Sequence, residues 1–153
     1  MIEVRFANQD EAQIIRQITL NAFESSRTLL NPPAGALLQT LEDIQDAIAK
    51  NESVVALLDG EPVGVCRMTI FDDHVYCGRL AVLPSMQGKG VGTAILNFLE
   101  DEARKRNLPE VRLATREVMT SNVAYYQKLG YRIIGREKHH NGSDIVVDFA
   151  KTV

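Results

Sequence analysis

Apolar side chains recur along the chain with two alternating periods. Ile2-Glu3-Val4-Arg5-Phe6 alternates apolar and polar positions, which predicts a half-buried strand. Ile14, Ile15, Ile18, Ala22 and Phe23 then recur at helical spacing after a candidate cap at Asp10, and Ser25-Ser26 ends the pattern. Asn31-Pro32-Pro33-Ala34-Gly35 is the strongest breaker in the chain. Beyond it, Leu37, Leu38, Leu41, Ile44 and Ile48 predict a second helix. The pattern then turns extended. Val54 to Leu58 and Val63 to Ile70 flank Asp59-Gly60, a hairpin signal because primed turns need positive φ. A second turn at Asp72-Asp73 leads into Val75 to Val82, which Pro84 stops, and Gly78 inside that strand suggests a bulge or a close backbone approach.

After Pro84 the period becomes helical again. Ala94, Ile95, Phe98, Leu99 and Ala103 form an apolar stripe, and Arg104-Lys105-Arg106 suits the negative end of the helix dipole. Leu108-Pro109 ends this helix, and Val111, Leu113 and Thr115 mark the next strand. Thr120, Ser121 or Asn122 can cap a short helix that runs to Leu129, with Gly130 in the C′ position. Tyr131 to Lys138, the Asn141-Gly142 turn and Ile145 to Phe149 predict a last hairpin. The order βαα, βββ, αβ, α, ββ predicts an α/β (α+β) fold, a mixed sheet with helices packed on it in one domain spanning residues 1–153.

Composition changes this picture little. The chain has 153 residues, 45% hydrophobic and 24% charged, enough for one well-buried core and unlike a disordered sequence. No apolar run approaches the roughly 18 residues that span a bilayer, so no membrane association is expected. Met1-Ile2-Glu3-Val4-Arg5 shows no secretory h-region, and a cytoplasmic location is expected. A net charge of −3 argues against a broad nucleic-acid footprint. Cys66 and Cys77 lack CxxC or metal-ligand spacing and read as buried strand residues.

The candidate chemistry lies in Gln87-Gly88-Lys89-Gly90-Val91-Gly92-Thr93, between a strand and an amphipathic helix. Glycines there let a ligand approach the backbone, and the free N–H groups of a helix start bind anions, a pyrophosphate being a natural guest. The spacing fails the P-loop pattern GxxxxGK[ST]. It meets the dinucleotide pattern GxGxxG only in part, since Thr93 takes the last position.

Two motifs carry a family resemblance. Gln87-x-x-Gly90-x-Gly92, after Leu80-Ala81-Val82-Leu83-Pro84, resembles the acetyl-CoA motif (R/Q)xxGx(G/A) of the GNAT N-acetyltransferases. About 35 residues on, Asn122 followed by Tyr126-x-x-x-Gly130-Tyr131 resembles that family's second landmark, and the element order is similar across nearly the whole chain. The resemblance implies a mostly antiparallel sheet of about six to seven strands flanked by about four helices and splayed at the acetyl-CoA site. It implies acetyl-CoA as the acyl donor. The pyrophosphate would lie on Gly88, Lys89, Gly90, Val91, Gly92 and Thr93 with Gln87 alongside, and the pantetheine along Leu80, Ala81 and Val82 like an added strand. A backbone N–H of that strand would stabilise the oxyanion.

Asn122 matches a pantetheine contact, or else caps its helix. Tyr126 matches the tyrosine that protonates the departing thiolate, a task suited to a group with a reference pKa of about 10. Tyr125 reads as packing. The family's base positions hold Gly78 and Tyr76, neither a conventional base, which leaves a water relay, another residue or a partly neutral amine. His74, Asp72, Asp73 and Glu117 are alternatives that read more simply as solvated turn residues.

The resemblance also places the acceptor between the segments around Ser26 to Gly35 and Lys138 to Asp144, and leaves the acceptor amine, small molecule or peptide, open. His139 and His140 would point to opposite faces of a strand, so no metal is expected. Relatives that dimerise make a homodimer an option. A non-catalytic acyl-CoA sensor on the same fold, or a nucleotide-binding enzyme using the glycine turn, would be the competing activities.

Overall fold

A computed structural model describes residues 1–153. Seven strands form one sheet: β1 (Ile2–Phe6), β2 (Ser53–Leu58), β3 (Glu61–Ile70), β4 (His74–Val82), β5 (Glu110–Arg116), β6 (Arg132–Lys138) and β7 (Ile145–Thr152). Their spatial order is β1-β2-β3-β4-β5-β7-β6. All neighbours are antiparallel except β4 and β5. The four helices are α1 (Ala12–Phe23), α2 (Leu41–Ala49), α3 (Val91–Lys105) and α4 (Thr120–Lys128). The mostly antiparallel sheet and its helices match the expected fold.

The sheet separates two apolar layers. On one face, Val54, Met68, Val75, Val111 and Phe149 pack with Ile95, Leu96 and Leu99 of α3. On the other, Val55, Leu57, Val65 and Ala81 pack with Ile15 and Ile18 of α1 and Ile44 and Ile48 of α2. Alternation along β5 and β7 turns Ala114, Arg116, Val146 and Asp148 away from the first layer, toward the face that carries α1 and α2.

Several local expectations are corrected. Asp10 is not the cap: Asn8 precedes a 3₁₀ turn over Gln9–Glu11 that runs into α1, and Glu11 reaches back to the Asn8 N–H at 2.7 Å. Leu37 and Leu38 do not belong to the second helix. Gly35–Leu38 is a separate 3₁₀ turn, and Thr40 with Asp43 forms a capping box that starts α2 at Leu41. The anticipated bulge in β4 is present, because pairing with β3 shifts between Val65 and Arg67, but Arg79 rather than Gly78 takes the positive φ of 52°. The hairpin at Asp59-Gly60 has positive φ at both positions, as expected.

Candidate active site

The parallel neighbours β4 and β5 pair only from His74 with Glu110 to Cys77 with Leu113, and beyond that they part. A cleft of about 1080 Å³ runs through this gap, from the glycine turn to the α1–α2 loop and the β6–β7 turn. Leu83 N–H bonds the Val63 carbonyl, so alternation turns Ala81 toward β3 and leaves the backbone groups of Leu80 and Val82 facing the gap. Gln87 Nε2 donates to one of them, the Val82 carbonyl, at 3.3 Å. Leu80, Ala81 and Val82 all line the cleft.

At one end of the cleft, Gly88 and Gly90 have φ of +79° and +87°. A Cβ at either would meet nothing within 4 Å, so it is the backbone conformation that calls for glycine. From Gly88 through Thr93 no backbone N–H donates to an acceptor in the chain, and the first helical bond of α3 runs from Ala94 N–H to the Gly90 carbonyl. This row of free donors at a helix start can accept an anion, by geometry and by dipole. Gln87, Gly88, Gly90, Val91, Gly92 and Thr93 face the cleft, whereas Lys89 is exposed and outside its wall.

Helix α4 closes the same end. Tyr125 Oη and Thr93 Oγ1 share a 2.7 Å hydrogen bond, which locks α4 to the first turn of α3. Sequence reasoning missed this role for Tyr125. Asn122 does not cap α4: the N-cap is Met119, and Asn122 is the third helical residue. Its side chain lines the cleft and makes no hydrogen bond in the chain.

Tyr126 is largely buried, with its ring against Tyr125, Tyr131 and Phe149. Its hydroxyl has no partner in the chain, yet no fully buried polar side-chain atom is left unpaired. The oxygen is therefore the part of the ring that reaches the cleft. Burial, with smaller contributions from Cys77 and Tyr125, holds the phenol above its ordinary pKa and keeps it protonated.

The other end of the cleft is built from four separate segments. Tyr76 lines it, and burial followed by the charge of Asp148 raises the Tyr76 phenol above its usual value. Asp148 itself is half-buried on β7 without a hydrogen-bond or ion-pair partner, and burial followed by Glu137 raises its carboxyl. Neither Tyr76 as a charge-coupled residue nor Asp148 was legible in the sequence, since their proximity depends on strand register. His74, Asp72, Asp73 and Glu117 do not line the cleft. His74 Nδ1 pairs with Asp73 at 2.7 Å, and Glu117 pairs with Arg136.

His139 and His140 do line the cleft, but not as expected. Strand β6 ends at Lys138, so the two rings are free to stack, with centroids 4.6 Å apart, instead of pointing to opposite faces. Both cysteines are buried and free, and the Cys66 thiol is raised well above its usual value by its contact with Cys77 and by burial.

The comparisons with known proteins bear on the family and the fold. The model of the acetyltransferase (GNAT) family matches residues 16–131. The uncharacterized protein YxbD of Bacillus subtilis is 33% identical over 75 residues, 49% of this chain and 46% of that protein. N-acetylaspartate synthetase of Xenopus tropicalis is 27% identical over 77% of this chain and 45% of its own length. The chain thus spans about half the length of these relatives. Among solved structures, PaiA N-acetyltransferase from Thermoplasma acidophilum, in complex with coenzyme A, superposes with a TM-score of 0.83 at 17% identity, covering 100% of this chain and 99% of that one. The ribosomal-protein-S18-alanine N-acetyltransferase of Escherichia coli gives 0.76 at 18% identity, covering 100% and 94%. The chain belongs to the GNAT acetyltransferase family.

Proposed function

We propose that this protein transfers the acetyl group of acetyl-CoA to a primary amine by direct attack in a ternary complex. The observation that carries the reading is the row of free N–H groups from Gly88 to Thr93, set at the mouth of the β4–β5 gap with the Tyr126 hydroxyl on the same cleft. Coenzyme A in the PaiA structure supports it.

The pyrophosphate takes the free donors of the turn, with Asn122 available to the pantetheine. The pantetheine runs along Leu80, Ala81 and Val82 in the place where β5 would otherwise pair. A backbone N–H in that gap polarises the thioester carbonyl. The neutral amine attacks the carbonyl carbon, the tetrahedral intermediate expels the CoA sulfur, and the nitrogen gives its proton to solvent water, from which Tyr126 is reprotonated after the turnover. A C–N bond forms and a C–S bond breaks. Tyr126 supplies the proton that the thiolate takes up, and its raised pKa means that it arrives protonated at any physiological pH.

The test is Tyr126→Phe. We expect CoA release to fall while acetyl-CoA binding is unchanged. Equal turnover in the variant would remove Tyr126 from the reaction, and bound acetyl-CoA without turnover in the wild type, over a broad amine panel, would favour a non-catalytic acyl-CoA sensor.

A further inference from the structure

The two walls of the acceptor end are tied together. Asn31, in the loop between α1 and α2, and Asp144, in the turn between β6 and β7, exchange hydrogen bonds. Asn31 N–H donates to Asp144 Oδ2 at 2.9 Å, and Asp144 N–H donates to the Asn31 carbonyl at 3.0 Å. Asn31 Nδ2 also donates to Ser143 Oγ at 2.9 Å. From β5, Arg116 Nη1 reaches both sides, donating to the Pro32 carbonyl at 2.6 Å and to Asp144 Oδ2 at 2.8 Å. The Arg116 and Asp144 side chains are only 13% and 15% exposed, so this pair is shielded from water on most sides. Gly142 completes the closure: a Cβ there would collide with the Asn31 carbonyl and with Pro32.

The bridge joins the segments that flank the cleft. Leu30 and Ala34 line it on one wall, and Lys138 and His139 on the other. With the coenzyme entering at the glycine turn, an acceptor reaches the thioester from the opposite end of the cleft, where these two walls and Arg116 stand. An extended chain needs about 4.7–4.9 Å to a hydrogen-bonded neighbour on each side. Here the walls bond directly to each other, with no room for a strand between them.

Resting on the acetyltransferase reading above, we propose that the acceptor is a small free amine and that the Arg116–Asp144–Asn31 bridge excludes polypeptide amines. Arg116, Asp144 and Gly142 are then specificity determinants that touch no reacting atom. Parting the bridge would leave Arg116 or Asp144 unpaired in a shielded place, which makes spontaneous opening costly.

The test uses two conjugates of CoA, its sulfur joined through an acetyl linker to 1,4-diaminobutane or to the α-amine of an alanine hexapeptide. Binding of each is compared with CoA by calorimetry. The wild type should bind the diaminobutane conjugate at least as tightly as CoA, and the hexapeptide conjugate at least ten times more weakly. In Arg116→Ala, and independently in Gly142→Ala, which parts the walls while keeping both charges, the peptide penalty should fall below about threefold. Equal binding of both conjugates by the wild type would overturn the proposal, as would a penalty unchanged in both folded variants. A wild type that binds no CoA at all would instead overturn the acetyltransferase reading, and this proposal with it.

Discussion

The two ends of the cleft are built by different physics. The glycine-turn end rests on backbone groups: the free N–H row from Gly88 to Thr93 and the unpaired edge of β4. It is braced by a continuous core, with Tyr126 against Phe149 and Tyr125 bonded to Thr93. The acceptor end rests on side chains from β5, two loops and β7, held by hydrogen bonds around Arg116 and Asp144. On the proposed reading, the first end holds the charged handle of the coenzyme through backbone groups alone, and the second decides which acceptors enter.

The sharpest way to break this contrast is Tyr126→Phe, for which we expect kcat to fall by about 10²–10⁴-fold, the usual worth of a general acid, with acetyl-CoA affinity unchanged. Steady-state CoA release and calorimetry on one preparation measure both. Phe149→Ala should cost about 3–5 kcal/mol in urea unfolding, because Phe149 is fully buried behind Tyr126. Arg116→Ala should cost less than Phe149→Ala, because Asp144 keeps the Asn31 N–H and these loops can open to water around it without disturbing the core. If the two variants destabilise equally, the division into a core-braced and a loop-braced end is wrong.

Gly90→Ala probes the cradle itself. At a φ of +87° the added Cβ should cost about 1–2 kcal/mol of stability and weaken acetyl-CoA binding, although no atom lies within 4 Å of it.

The bridge should also respond to acid. Burial alone would raise the Asp144 carboxyl, but the Asn31 N–H and Arg116 outweigh it and hold the carboxyl below its ordinary value. A depressed carboxylate contributes stability above its unfolded pKa, about 3.9, and loses it as pH falls through the folded value. NMR titration should therefore show the Asn31 and Asp144 amides keeping their neutral-pH positions down to about pH 4 and shifting together below it.

Asp148 carries the opposite sign. Its raised carboxyl makes the charged form unfavourable in the fold, so its contribution improves as pH falls through that raised value. Asp148→Asn should raise Tm by roughly 1–2 °C, a gain under about 1 kcal/mol. A loss of acceptor affinity in the same variant would give this unpaired carboxylate a functional reason to persist.

The same contrast explains what was legible in the sequence. The glycine turn, Tyr126 and the strand before them are local patterns, and apolar periodicity placed three helices while the end signals at Thr120–Asn122 and Gly130 placed the fourth. The boundaries that failed did so where short-range hydrogen bonds decide. Thr40 and Asp43 start α2 after Leu37 and Leu38 have already turned, and Met119 caps α4 where Asn122 was a candidate. The stacking of His139 on His140 depends on where β6 stops. The bridge is illegible for a deeper reason: Asn31, Arg116 and Asp144 lie far apart in sequence and meet only once the sheet order is known. Gly142 reads as a turn glycine, yet it does not have positive φ, and what it supplies is the absence of a side chain against Asn31 and Pro32.

The most direct test of the central claim is an amide NMR titration of the wild-type chain with acetyl-CoA, with NAD and ATP as controls. Acetyl-CoA should shift the amides of Gly88 through Thr93 together with Leu80 and Val82, and neither nucleotide should reproduce the Leu80 and Val82 shifts. Acetyl-CoA leaving the Gly88–Thr93 amides unmoved would contradict that claim.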